Sequence, residues 1–393
     1  MVYEKKMAIT EMRMLSRHFF AYTIGGLWRP IEWSSKYSKS LYNVFTFFTM
    51  YLFTYLLLTH GLHIIFVVDN LESLISSSSV FFSFVGLMCK ATTVVVRRDR
   101  IINLLEIIQE EPCKVCDEDE IDIQMKFDRL LGLYSMPYII LCAISAVGTL
   151  IGCIIYMMEG VIPIGTTWVP WDCTSPFIFY LTSLQVVAAL MLAIFVNIGS
   201  ETTILGFCLQ TCAQFEILKH RLQRMMKNNK NNPMSSLNNA LNRTSRISEH
   251  VFYHLCIIRL AKTINDVFSP IIFVQFFVSI LLLCSVIYRL SSQMVIADLA
   301  SLSTYTIILF IQIFYYCWGG NEVMLKSVEL GQEIYHMDWI SMAKSEQKDL
   351  LMIMKRSTKP IRFTSSFLVT MSLESYGNLL KAAFSAFNLM QQL

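Results

Sequence analysis

Charge is scarce in this chain. Charged residues make up 16% of its 393 positions, where a soluble domain carries about 25%. A soluble fold of this length could not cover its surface with so few. The net charge of +3 is too small to point to nucleic acid. The 11 cysteines are scattered, with only Cys173 clearly in a candidate outer loop and Cys153 near an outer helix end. That excludes a dense disulfide scaffold. There is no phosphate-binding loop, no G-x-G-x-x-G, no G-x-S-x-G and no H-E-x-x-H, so nothing supports catalysis or a cofactor. Paired Gly/Pro breaks at mid-segment and inverted repeats, which mark many transporters, are missing too.

What is abundant is apolar. Hydrophobic residues reach 54% and the mean hydropathy is +0.51. Seven apolar segments are long enough to cross a hydrocarbon core of about 30 Å as helices. They run Leu41–Val68, Leu71–Val96, Leu130–Met158, Pro176–Gly199, Phe268–Leu290, Ile296–Trp318 and Phe367–Leu393. The seventh is the least apolar, being rich in Ser, Asn, Ala and Gln in its second half. A charged leader precedes the first, so no cleavable signal peptide is expected.

Lys and Arg in the loops set the orientation. They crowd the leader (Lys5, Lys6, Arg13, Arg17), the second loop (Arg97, Arg98, Arg100), the connection after segment four and the loop before segment seven. The first loop and Glu159–Ser175 hold none, and the turn after segment five holds only Arg289. This places the N-terminus in the cytoplasm and, with seven spans, the C-terminus outside. G-protein-coupled receptors have the opposite orientation. The sequon Asn242-Arg243-Thr244 then falls inside and should go unused.

The inner connections are long and helical in pattern. Segment four should continue through Gln210–Met226, break at Lys227–Pro233 (KNNKNNP) and resume near Ser235. Val323–Met354 reads as amphipathic helices. The expected fold is therefore an all-α membrane protein with seven transmembrane helices and a cytoplasmic N-terminus. Extensions of helices four to seven form a cytoplasmic helical anchor. Its parts are a leader (1–40), six spans with a ligand pocket in their outer halves (41–318), anchor helices (319–362) and a seventh helix (363–393).

Several residues invite chemistry. Cys113-Lys114-Val115-Cys116 is a CxxC beside an acidic run, but a zinc site needs four ligands and no second pair follows. A solvated loop is the better reading. His250 and His254 share a helix face without metalloprotease order, and a helix surface accounts for them. Cys208 and Cys212 read as packing residues. Lys90, near the inner end of segment two, can snorkel to the interface. Lys381 lies deep in segment seven and must face water or protein.

Two patterns point to a site. Ser78, Phe81, Phe82 and Val85 lie in the outer half of segment two. Gly148, Ile151 and Ile155 recur at helical spacing on segment three, Phe177, Tyr180 and Leu184 on segment four, and Leu302, Tyr305 and Leu309 on segment six. An apolar pocket with a few hydroxyls would suit a small volatile or lipophilic ligand. For any single one of these residues, interhelical packing is the competing and stronger reading. On segment seven, Ser375, Asn378, Ala382, Ser385, Leu389 and Gln392 form a stripe of small and polar residues that ends in Leu389 and Gln392. Spacing alone favours a helix contact. Lys381 beside the stripe argues for a water-lined path instead.

The C-terminal third carries a resemblance. It reads YCWGGNEV (Tyr316–Val323), Tyr335 with Asp338-Trp339, LLMIMKRSTKP (Leu350–Pro360) and SLESYGNLLKAAFSAFNLM (Ser372–Met390). TWVPWD (Thr167–Asp172) and GLWRP (Gly26–Pro30) agree. The sequence resembles the insect odorant receptor family. That resemblance implies seven helices with an intracellular N-terminus, in the plasma membrane of sensory neurons. It implies tetrameric, odorant-gated, non-selective cation channels in which tuning subunits join a shared co-receptor of the same fold. The co-receptor has a much longer connection between segments four and five than Gly199–Asn265, so this chain resembles a tuning subunit. The last-helix signature of the related gustatory receptors is absent. The resemblance also implies a pore lined by Asn378, Ala382, Ser385, Leu389 and Gln392, with Leu389 at the gate. Ala386 and Asn388 depart from the common pattern, and Lys381 matches a Lys common in tuning subunits. The alternatives are a gustatory-type or G-protein-coupled chemoreceptor, or a transporter.

Overall fold

The computed structural model describes residues 19–30, 33, 35–163, 168–231, 237–291, 296–340, 342–365 and 369–392. The side chains at 71–72, 228–231, 237–246, 290–291, 296–301, 386–387 and 389–392 lie outside that description, and with them the Asn242 sequon, Leu389 and Gln392.

A short leader helix over 19–24 is followed by α1 (Lys36–Phe66), α2 (Leu71–Val96), α3 (Arg98–Gln109), α4 (Glu118–Met158), α5 (Pro176–Asn231), α6 (Leu237–Ser291), α7 (Ile296–His336) and α8 (Lys344–Ser357). A two-stranded antiparallel ribbon, β1 (Thr364–Ser365) and β2 (Val369–Thr370), precedes α9 (Leu373–Gln392). Six of these helices, α1, α2 and α4–α7, are long and apolar enough to cross a membrane. Helix α9 is the shorter and more polar seventh.

Helix α5 has 56 residues, or about 84 Å at 1.5 Å per residue. A bilayer core needs only about 20 residues. More than half of α5 therefore extends beyond the span that ends near Gly199, as its sequence pattern requires, and the helix runs on through Asn231, five residues into the expected break. Charge marks the extension. Lys219 and Lys326 pair with Glu216, Glu329 and Glu333 across α5 and α7. Such a partly exposed network needs water around it.

Among the described residues, three apolar clusters lie along the bundle. The main core joins residues from the leader to α9, with Phe53, Leu87, Leu131, Phe207, Phe268 and Tyr316 fully buried or nearly so. A second fills the extended end, where Phe215, Leu218 and Leu222 of α5 meet Tyr253, Ile257, Leu330 and Leu350. A third, smaller cluster lies toward the opposite end, between α2, α6 and α7.

The segment before α9 differs from the expected helix start at Phe367. Two short strands pair instead (Thr364 with Thr370, Ser365 with Val369). Ser372 then caps α9, its Oγ accepting from the Ser375 N–H at 3.1 Å. The ribbon presses Met371 onto α7. A Cβ at Gly320 would lie 2.4 Å from the Met371 Cβ, and one at Gly319 would lie 3.1 Å from Cys208. This explains Gly320 of YCWGGNEV, where the chain passes too close for a side chain, while a side chain at Gly319 would press on Cys208.

The CxxC segment is a docked loop rather than a solvated one. Arg221 of α5 donates to the carbonyls of Pro112 and Lys114, at 2.8 and 2.7 Å, and forks onto Glu120. Its guanidinium also lies over the Tyr253 ring. Cys113 is buried in the second cluster and burial pushes its thiol up to about 12; Cys116 is exposed at the rim. His254 is no surface residue either: it is buried edge-on to Phe215.

Candidate ligand cluster and pore-facing helix

The outer cluster is built from three helices. Val278, Leu282 and Val286 of α6 recur every four residues and present one buried face. Leu302 and Leu309 of α7 meet them, with Tyr305 between. Phe82 of α2 closes the third side. The hydroxyls of Tyr305 and Ser83 are 2.8 Å apart, so the polar groups in this apolar setting satisfy each other. Phe81 stands beside Phe82 in an edge-to-face pair and reaches across to Gly61 of α1. Ser78 and Val85 are half-buried on the same helix.

Of the predicted pocket residues, the fold thus gathers Phe82, Leu302, Tyr305 and Leu309, with Phe81, Ser78 and Val85 alongside. It does not gather the rest. Gly148, Ile151 and Ile155 lie on an outward face of α4, and nothing stands within 4 Å of a Cβ placed at Gly148. Phe177, Tyr180 and Leu184 are 75%, 58% and 63% exposed on α5. The 3–4 spacing correctly defines a face on each helix, but on α4 and α5 it is the face turned away from the other helices. The α6 residues and Ser83 escaped the sequence reading. Their signals were the four-residue repeat at 278, 282 and 286 and the serine run of α2.

Helix α9 packs on α6 and α7 by one side. Leu379 and Ala383 are buried, Tyr376 stands edge-on to Phe314, and the Cys284 thiol of α6 lies 3.6 Å from the Ala383 carbonyl. Asn378, Ala382 and Ser385 are exposed on the other side, while Ser375 is half-buried at the capped first turn. Lys381 and Asn388 are exposed next to this stripe. The backbone of α9 continues through residues 389–392.

Lys90 does not snorkel. It is buried, and its Nζ donates to Glu201 Oε1 at 2.7 Å and to Asn197 Oδ1 at 2.9 Å. The Tyr316 hydroxyl is turned toward the same carboxylate, and Tyr22 donates to Ser200 at 3.1 Å beside it. An ion pair thus ties α2 to α5 within the main core.

The family described as 7tm Odorant receptor matches residues 70–384. The chain belongs to the insect odorant receptor family, a receptor family rather than an enzyme family. Odorant receptor 45a of Drosophila melanogaster is 23% identical over 314 residues, 78% of each chain. Odorant receptor 13a of the same fly is 26% identical over 56% of this chain and 55% of its own. Odorant receptor 10 of Aedes albopictus is 30% identical over 35% of this chain and 37% of its own. In the last two alignments the chain spans about half or less of the relative's length. The olfactory receptor OR5 of Machilis hrabei shares the fold. Its structure with eugenol superposes with a TM-score of 0.85 at 14% identity, covering 98% of this chain and 99% of that one. Without eugenol the TM-score is 0.83. This odorant receptor is accordingly an all-helical membrane protein, its six apolar spans joined by the more polar α9 as the seventh.

Proposed function

We propose that this odorant receptor is the odorant-binding subunit of a ligand-gated, non-selective cation channel. It assembles with a co-receptor of the same fold, as a tuning subunit in a heteromeric, tetrameric channel. Its N-terminus is cytoplasmic and its C-terminus extracellular, in the plasma membrane of sensory neurons. The orientation is supported by the basic residues of the leader and of the extended helices, against the bare loops at the other end.

One observation carries the gating reading. Helix α6 carries Leu282 and Val286 of the outer cluster on one face and, on its opposite face, Cys284 against Ala383 of α9. A ligand that wedges among Phe82, Tyr305 and Leu282 must shift α6, and α9 rests directly on α6. The ligand class follows from the lining: a small, lipophilic volatile held by shape, with the Tyr305–Ser83 hydroxyl pair as the polar feature. The polar side chains of Asn378 and Ser385, two turns apart, would keep the path hydrated, and Leu389 would close it by dewetting.

The test is co-expression with an odorant co-receptor and current recording across an odorant panel. Odorant-evoked cation current that needs both chains is the expected result. Large currents from this chain alone would refute the tuning assignment. An N-terminal epitope that stains intact cells would refute the orientation.

A further inference from the structure

Helix α4 bears one exposed stripe along its whole length. Asp122, Lys126, Arg129, Leu133 and Pro137 follow each other at intervals of three and four, all exposed. Leu133 is 65% exposed. An open face of α4 and a groove adjoin on this stripe and share Leu133. The first is formed by α4 alone, with Lys126 and Arg129 at its centre. The second, about 320 Å³, is walled by Tyr134, Tyr138, Phe314, Tyr315 and Tyr376. Its wall is rigid: Tyr134 packs on Trp318 at 4.5 Å, Phe314 stacks on the same indole, and Tyr376 stands edge-on to Phe314.

We propose that this basic helix face and the aromatic groove beside it hold one anionic phospholipid of the cytoplasmic leaflet. Charge and length both argue for it. Two cations sit at one end, and only apolar and aromatic surface follows. From Arg129 to the exposed Ile140 the helix rises about 17 Å, close to the ~15 Å of one leaflet's hydrocarbon. Phosphate and carboxylate of a serine headgroup would meet Lys126 and Arg129. Asp122, one turn further from the bilayer, suits the headgroup ammonium. One acyl chain would lie over Leu133 against the tyrosines. Because Tyr376 belongs to the first turn of α9, the lipid would touch the helix that also carries the Asn378 stripe. The inference rests on the functional reading only for which leaflet this end faces.

The experiment uses the purified full-length chain in nanodiscs carrying a photoactivatable phosphatidylserine or phosphatidylcholine, with adducts mapped by mass spectrometry. Both leaflets of a nanodisc are alike, so the outcome is independent of orientation, which the epitope test decides. Adducts within 125–140 and on Phe314 or Tyr376 are expected. Phosphatidylserine should exceed phosphatidylcholine by roughly 30-fold, from two cations near the surface. The double variant K126Q/R129Q should bring phosphatidylserine down to the phosphatidylcholine level. Excess glycerophosphoserine should leave the adducts in place, since it lacks the acyl chain. Equal labelling by the two lipids, or full displacement by glycerophosphoserine, overturns the proposal. So does efficient disulfide cross-linking of L133C between two copies with the lipid adducts absent, which would make this face a subunit contact.

Discussion

Lys90 and Glu201 meet at 2.7 Å inside the helix bundle, with both side chains almost wholly withdrawn from solvent. Asn197 holds the ammonium from one helical turn away, and Tyr316 of α7 faces the carboxylate. The pair therefore sits where α2, α5 and α7 converge. Removing one partner would leave the other charge buried and uncompensated, at a cost of roughly 3–5 kcal/mol. K90M and E201L should each abolish surface expression or sharply lower the melting temperature of the purified receptor. The double change K90M/E201L should recover much of the loss, because an apolar pair of similar volume fits the same space. A double variant as damaged as either single one would mean that the charges do more than satisfy each other.

The outer cluster makes a graded prediction. F82A removes a large apolar wall. It should weaken odorant potency by about tenfold or more and reorder the panel, as expected for roughly 1–3 kcal/mol of lost burial. Y305F keeps the ring but breaks the hydroxyl pair with Ser83. Its effect should fall mainly on odorants that carry a hydrogen-bonding group. S83A should reproduce it. By contrast, I151A and Y180A, on outward faces, should leave the dose–response curves of the assembled channel unchanged. The measurement is a concentration series for each variant beside the co-receptor.

The two thiols of the docked loop differ in reactivity for a physical reason. Burial raises the pKa of both Cys113 and Cys116, and Arg221 partly opposes this at each. The thiolate is the reactive form, so both should be sluggish at neutral pH. As pH rises the exposed Cys116 should alkylate first, with Cys113, pushed up to about 12, following only near that value or on unfolding. The sign for stability follows. Below the ordinary thiol pKa, folded and unfolded Cys113 are both protonated and pH has no leverage. Above it only the unfolded chain ionises, and stability falls. R221Q should release the loop and bring Cys113 labelling forward. Iodoacetamide labelling followed by peptide mapping measures all three.

Hydropathy made much of the fold legible. The run Leu71–Val96 is α2 to the residue, and the hydrophobic spacing at Phe215, Leu218 and Leu222 foretold that α5 leaves the membrane. What stayed hidden was relational. Segment four was drawn to Gly199, so Glu201 fell outside it, and its partner lies 111 residues earlier in the chain. No local pattern links the two. The pocket shows the same limit. Spacing at Gly148, Ile151 and Ile155 defines a face of α4, but periodicity does not say whether that face meets lipid or protein. The ribbon before α9 was missed because its strands are two residues each, too short for a period-two signal.

The last prediction concerns α9, where a buried face and an exposed, largely polar stripe differ, with Phe384 also exposed. Leu379 and Ala383 are buried against the chain's own helices and Tyr376 is half-buried there, while Asn378, Lys381, Ala382 and Ser385 point away from them. Cysteine scanning in the assembled channel should therefore separate two sets. Charged thiol reagents should alter current at Asn378, Ala382 and Ser385, and faster when odorant opens the path toward Leu389. Tyr376, Leu379 and Ala383 should stay inert in both states. Lys381 adds a test of direction. An exposed ammonium beside a cation path should oppose conduction, so K381Q should raise unitary current if the side chain faces the pore. Partner subunits lacking a lysine there would dilute the effect but not reverse it. If K381Q leaves unitary current unchanged while N378C and S385C react, the lysine faces a subunit contact. If the reactive and inert sets exchange places, α9 is rotated and the stripe belongs to an interface instead of the pore.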